Sequence, residues 1–161
     1  MKGISRTVRR RRQEAKTDYK ARLSLLRSGK ARVVVRKTNR YILGQVVVAD
    51  KAQDKVLINV SSKDLLLQGW PAELKGSLKN LTAAYLTGYL LAVRSKKTNS
   101  AILDLGMQRN VKNSRLYAFV KGAIDGGMKI PCNEDVLPGE EEFMKNKKTN
   151  NLISKMKGGL K

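Results

Sequence analysis

Ala31-Arg32-Val33-Val34-Val35-Arg36-Lys37-Thr38-Asn39-Arg40-Tyr41-Ile42-Leu43-Gly44-Gln45-Val46-Val47-Val48-Ala49 is the stretch that decides the fold. From Ala31 to Lys37, Val33 and Val35 share one face while Arg32 and Arg36 share the other, the two-residue period of a strand. Lys37 to Arg40 reads as a hairpin connection, with Asn39 suited to a left-handed turn conformation. Tyr41 to Ala49 is a second strand, rich in Val and Ile and relieved by Gly44 and Gln45. Asp50 to Asp54 is a polar turn. Lys55 to Ser61 is a third strand, with Val56, Ile58 and Val60 on one face. Connections this short predict an antiparallel meander. Gln45, Lys55 and Asn59 are awkward in a fully buried sheet, so one face is expected to meet something polar.

Downstream, Ser62 to Gln68 is a short helix or turn that ends at Gly69-Trp70-Pro71, and Trp70 reads as a packing anchor rather than a base-stacking platform. Ser77 is expected to cap a long helix from Leu78 to Val93. Leu78, Leu81, Tyr85 and Tyr89 form one stripe of it, and Leu86, Leu90 and Val93 the next, a wide apolar surface suited to lying against a sheet. Gly88 costs about 1 kcal/mol relative to Ala in a helix, which close approach of another backbone would explain. Ala101 to Leu105 is a fourth strand containing Asp104, and Gly106 to Asn113 a loop. Ser114 starts a helix with Leu116, Phe119, Val120, Ala123 and Ile124 on one face, ended by Gly126-Gly127 ahead of Pro131. The order predicts an α/β fold: a mixed sheet, made of an antiparallel three-strand meander plus a fourth strand, with helices packed on it and basic extensions at both termini.

Upstream, residues 1–16 form a basic arm. Arg9-Arg10-Arg11-Arg12 cannot share an interior, because each unpaired buried guanidinium would cost several kcal/mol. Thr17 or Asp18 caps a helix that runs to Ser28, with Gly29 beyond it. Tyr19, Leu23 and Leu26 are expected to face inward, and Lys20, Arg22 and Arg27 outward. The folded domain spans 17–131. Residues 132–161 are a C-terminal extension, acidic from Glu134 to Glu142 and basic afterwards. It is expected to be peripheral and at most partly ordered, either a frayed end or a second RNA-contacting arm.

Of 161 residues, 34 are Lys or Arg and 13 Asp or Glu, for a net charge of +21. Such an excess suits a polyanion far better than a small-molecule substrate or a membrane surface. With one cysteine and no histidine, intrachain disulfides, Cys/His zinc sites and Ser-His or Cys-His nucleophiles are excluded. No secretory signal is visible and no apolar segment is long enough to span a bilayer, so a reducing, cytoplasmic setting is the default. Asp50, Asp54, Asp64, Asp104 and Asp125 are the candidate carboxylates for a metal-dependent nuclease, but their placement is that of turn, strand and helix-end residues, and no phosphate-binding glycine loop accompanies them. No catalytic residue, metal or cofactor is therefore expected. The binding constellation is stronger. The arm supplies Arg6, Arg9, Arg10, Arg11, Arg12 and Lys16, and Lys20 and Arg22 extend it. The hairpin adds Arg36, Lys37, Thr38, Asn39 and Arg40, and the loop after the fourth strand adds Arg109, Asn110 and Lys112. Aromatics are 5% of the chain, which favours recognition of folded RNA by backbone and shape over stacking on single strands. A non-specific nucleic-acid chaperone is the remaining alternative.

The run Arg9-Arg10-Arg11-Arg12, with Lys16-Thr17-Asp18-Tyr19 and Ala21-Arg22, resembles the ribosomal large-subunit protein family L-eighteen in its archaeal and eukaryotic form. The resemblance continues through Val35 to Arg40, Ala83 to Gly88, Asp104-Leu105-Gly106, Lys121 to Gly127 and Ile130-Pro131. It implies a 5S rRNA-binding protein of the central protuberance that also touches large-subunit rRNA and neighbouring ribosomal proteins. It implies RNA contact by the arm, including Thr17 and Tyr19 of its motif, by Thr38-Asn39-Arg40, and by Gln45. It further implies a topology distantly like ribonuclease H, without catalytic acids. Cys132 follows Pro131 where the family often has His, and the short C-terminus is expected of the archaeal-like form.

Overall fold

The computed structural model describes residues 7–51, 53–96, 98–145 and 152–159. Strands β1 (Arg32–Lys37), β2 (Ile42–Asp50), β3 (Gln53–Ser61) and β4 (Ile102–Asp104) form one sheet in the order β3-β2-β1-β4. β2 is antiparallel to both β1 and β3, and β4 runs parallel to β1, so the mixed sheet expected from the sequence is present. The helices are α1 (Arg10–Gln13), α2 (Tyr19–Arg27), α3 (Leu81–Arg94), α4 (Arg115–Asp125), α5 (Glu140–Met144) and α6 (Leu152–Gly159), with 3-10 turns at Ser62–Gln68, Ala72–Ser77 and Glu134–Val136.

Register assigns the two faces. Val33, Val35, Ile42, Val46 and Val60 are fully buried beneath α3 and α4. Arg32, Val34 and Arg36 lie on the other face, as do Gln45 and Asn59 opposite Val34, and Asp104 in register with it. The expected alternation of β3 fails below Ile58. Val46 pairs with Ile58 but Val47 with Val56, so Leu57 is an extra residue and the strand is bulged. A bulge resets which residues point inward. Val56 therefore leaves the face of Ile58 and Val60. Asp54, paired with Ala49, arrives on the face of Arg32. The hairpin is also longer than the expected polar turn, since the ladder runs to Asp50↔Gln53.

Several local expectations change for identifiable reasons. Ser77 closes a 3-10 turn instead of capping α3. Asn80 is the cap, its Oδ1 accepting from the Ala83 amide at 2.6 Å while its Nδ2 donates to Ser77 Oγ at 3.1 Å. Asn39 is not left-handed. The Thr38 hydroxyl closes the hairpin instead, donating to Tyr41 O and accepting from Tyr41 N, both at 2.9 Å. Asp18 caps α2 by accepting from the Lys20 and Ala21 amides. Leu23, expected inside, is 51% exposed, and Arg22 is drawn inward instead. Trp70 is an anchor, buried with Nε1 donating to Leu74 O at 3.0 Å.

Helix α3 is buried on nearly every side, as its predominantly apolar composition requires. Its approach to α4 is reciprocal. A Cβ on Gly88 would lie 1.9 Å from Phe119 O, and a Cβ on Gly122 would lie 1.9 Å from Tyr85 O. The two backbones thus touch where neither residue has a side chain.

The C-terminal extension packs more closely than its charged sequence suggests. Phe143 and Met156 are buried, and the Tyr85 and Phe143 rings meet edge-on at 5.3 Å. Lys157 Nζ sits 5.0 Å above the Tyr85 ring, and Lys121 Nζ donates to Pro138 O at 2.8 Å. Phe143 and Met156, with Leu137, Leu152 and Ile153 packed beside them, fasten these short segments to the core.

Gly88→Ala should destabilise the fold by about 3 kcal/mol, because neither backbone can retreat without opening the core. Gly158→Ala, in open space on α6, should be neutral or slightly stabilising; urea unfolding compares them. Tyr85 supplies a second expectation. Its phenol is pushed well above the ordinary tyrosine range by burial first and then by its 2.5 Å bond to Asp125 Oδ2. A raised folded-state pKa contributes stability below the unfolded value of about 10, lost as pH rises beyond it. Tyr85→Phe should therefore flatten the decline in unfolding free energy above about pH 10.

Candidate nucleic-acid interface

The cations divide into those with carboxylate partners and those without. Arg32 is the hub of the first group. It is 1% exposed, donating through Nη2 to Asp54 Oδ1 at 2.6 Å and through Nη1 to Asp104 Oδ2 at 3.2 Å. Arg22 Nη2 reaches Asp54 Oδ2 at 2.8 Å, and Arg36 Nη2 reaches Asp104 Oδ1 at 3.0 Å. Arg36 Nη1 also donates to the carbonyls of Val35 and Asp104, and the Gly106 amide donates to Asp104 Oδ1. The result is a chain, Arg22–Asp54–Arg32–Asp104–Arg36, that ties α2, β3, β1 and β4 together. Asp104 is a counter-ion to two guanidiniums. Among the described residues, no three His, Cys, Asp or Glu side chains gather as a metal site.

The arm is built locally. The Arg9 guanidinium lies 4.7 Å above the Tyr19 ring, and Arg11 Nε donates to Thr17 Oγ1 at 2.8 Å. Glu14 accepts Lys16 at 2.9 Å and stands 3.8 Å from Arg10. These contacts fold the arm back onto the start of α2, so Tyr19 is a platform for Arg9. Arg6 lies outside the described residues. Exposed pairs of this kind contribute little, about 0–1 kcal/mol, and yield readily to a polyanion.

Arg12, Lys20, Lys37, Arg40, Arg109 and Lys112 have no ion pair among the described residues. The structure gathers many of the expected residues around the C-terminal end of β1. On one side Arg11, Lys16, Thr17, Arg22 and Arg36 line a cleft of about 500 Å³. On the other, Lys37 and Arg109 line a hollow of about 320 Å³ at the start of α4, together with Arg115. The Thr38–Arg40 connection follows directly on β1, its Asn39 carbonyl held by Lys79 Nζ at 3.2 Å. Asn110 is tied down by the Tyr117 hydroxyl. Gln45 stands apart, in mid-sheet, with Nε2 donating to Asn59 Oδ1 at 3.1 Å. Arg115 and Lys79 were not expected from the sequence, because an isolated cation at a helix start or beside a loop has no pattern to mark it.

A mixed α/β body whose best-connected acids serve as counter-ions and which brings seven arginines and lysines to two hollows at one end of a strand defines a basic scaffold protein. A family model described as "Ribosomal large subunit proteins 60S L5, and 50S L18" matches residues 5–101 and 94–133. The large ribosomal subunit protein uL18 of Korarchaeum cryptofilum (strain OPF8) is 50% identical over 136 residues, which cover 83% of this chain and 68% of that protein. Its counterpart in Methanoregula boonei is 44% identical over 136 residues, 83% of this chain and 76% of that protein. The uL18 of Aeropyrum pernix is 44% identical over 135 residues, 82% and 61% respectively. The chain belongs to this family of ribosomal large subunit proteins, which is structural and non-enzymatic. No described helix is long and apolar enough to cross a membrane.

Asp104→Asn should cost about 1.5–3 kcal/mol in urea unfolding, because it weakens charge-assisted hydrogen bonds to two arginines and leaves buried Arg32 with Asp54 as its one carboxylate. Arg36→Lys, at the exposed end of the same chain, should cost far less.

Proposed function

We propose that this chain binds 5S rRNA and helps attach it to large-subunit rRNA in the central protuberance, beside other ribosomal proteins. Membership of the family makes it a structural constituent of the large ribosomal subunit. The observation that carries the finer reading is the gathering of cations about the end of β1, Arg11, Lys16, Arg22 and Arg36 on one side and Lys37, Arg109 and Arg115 on the other, of which Arg11, Lys37, Arg109 and Arg115 have no ion pair among the described residues. Lysine and arginine without internal partners are held ready for phosphate oxygens, and arginine forks fit them in two-point contacts. Most of these groups contact backbone rather than bases, so they position the RNA while its shape supplies selectivity.

Affinity for 5S rRNA should fall steeply with salt, since each neutralised phosphate releases counterions. Replacing Arg9 to Arg12 with Ala should flatten the slope of log affinity against log salt by about 3, at roughly 0.7–0.9 for each phosphate no longer neutralised. An unchanged slope would remove the arm from the interface. Replacing Asn39 and Arg40 with Ala should cost about 1–3 kcal/mol on 5S rRNA and less on a generic folded RNA. Equal affinity of the unaltered protein for 5S rRNA, transfer RNA and duplex DNA at physiological salt would mark a non-specific chaperone instead.

A further inference from the structure

The cleft between the arm, α2 and the loop after β4 has features beyond a charged surface. Its volume, about 500 Å³, falls within the range of about 300–1,000 Å³ typical of small-ligand pockets. Its walls differ in character. Arg11, Lys16, Arg22 and Arg36 supply cations, while Leu25 and the exposed Met107 supply apolar surface. Asp18 and Asp104 also line it, but both are engaged: Asp18 with the Lys20 and Ala21 amides, Asp104 with two arginines and the Gly106 amide. The arginines keep donors in reserve. Arg11 uses only Nε, on Thr17, and Arg22 only Nη2, on Asp54. One rim is rigid. Gly106 has φ +61° and lies so close to Arg36 that a Cβ there would be 2.8 Å from the guanidinium carbon.

Guanidinium donors left over beside an apolar wall match a nucleotide's two halves, a phosphate and a base with an apolar face. A base paired inside a helix cannot enter such a cleft, whereas a bulged or loop base can be turned out into it. We propose that this cleft receives one unstacked nucleotide of the bound RNA, its base against Leu25 and Met107 and its phosphate among Arg11, Lys16 and Arg22. This rests on the RNA-binding function proposed above and adds to it a single base-sized site.

Ala21 and Ser24 line the cleft from the exposed side of α2, so Ala21→Trp and Ser24→Trp would fill it without changing charge. Leu67→Trp, at a position 86% exposed and outside the cleft, is the control. The readouts are affinity for 5S rRNA across a salt series and base-specific chemical modification of the complex. Each filling variant should weaken binding at least tenfold and lower the salt slope by no more than about 1, the share of the one phosphate displaced from Arg11, Lys16 and Arg22. A base shielded by the unaltered protein should become reactive again, while Leu67→Trp behaves as the unaltered protein does. Should a filling variant fail to fold, as judged by circular dichroism, the footprint of the unaltered protein decides alone. Wild-type affinity and footprint in both variants, or no unpaired base shielded by the unaltered protein, would overturn the cleft assignment while leaving RNA binding intact. Failure of the unaltered protein to bind 5S rRNA would overturn the RNA-binding function, and this site with it.

Discussion

A guanidinium buried to 1% exposure needs its anions brought to it, and the sheet is arranged so that two arrive. Arg32 sits on the central pair of strands, between Asp104 from the parallel strand on one side and Asp54 from the far hairpin on the other. Neither aspartate is near it in sequence. Its Nε remains without a protein partner, so the site is not a perfectly satisfied one. Buried ion pairs give uncertain net stability, because the cost of leaving water offsets much of the attraction. Their gain here is in selection among alternatives. A one-residue slip of β1 would drive Arg32 among Val46, Val60 and the helices, where no carboxylate waits.

That constraint governs what remains for the surface. The protein has 13 acidic residues against 34 basic ones, so any acid used inside leaves cations outside without partners. Asp54 and Asp104 are consumed in the sheet and Asp18 in a helix cap. Five further acids lie between Glu134 and Glu142, on the extension that packs along α4. The arm, the hairpin tip and the loop beyond β4 are left with lysine and arginine in excess, next to one another because the strand order puts them there. The segregation of charge therefore follows from topology as much as from composition.

Much of this was legible in the sequence because the signals are short in range. Alternating valines and brief connections identify the meander, Gly29 and Gly127 stop their helices, and Gly88 betrays a close contact. The Gly122 half of that contact was not visible, since a glycine near a helix end commonly just marks where the helix stops. Long-range pairing was less accessible. Nothing local tells that Arg22 would turn inward to an aspartate 32 residues away while Leu23 faces water. Asn80 won the cap of α3 from Ser77 because the preceding 3-10 turn absorbed the serine. The tail looked too charged to dock, since five apolar side chains spread from Leu137 to Met156 among many charges make no sustained periodic pattern. For the surface, clustered arginines were readable one by one, but their assembly into two hollows flanking β1 depends on the pairing of distant strands.

The supernumerary Leu57 decides which charge the sheet offers to its hub. Were β3 to run straight through this leucine, Leu57 would pair with Val47, and everything from Val56 back to Gln53 would be mirrored across the sheet plane. Lys55 would trade places with Asp54, and a positive charge would stand where the hub guanidinium now finds a negative one. Deleting Leu57 has no such effect, because Val56 stays opposite Val47 and Asp54 opposite Ala49. Natural variation at this point is thus asymmetric: the strand survives losing its surplus residue but not absorbing it.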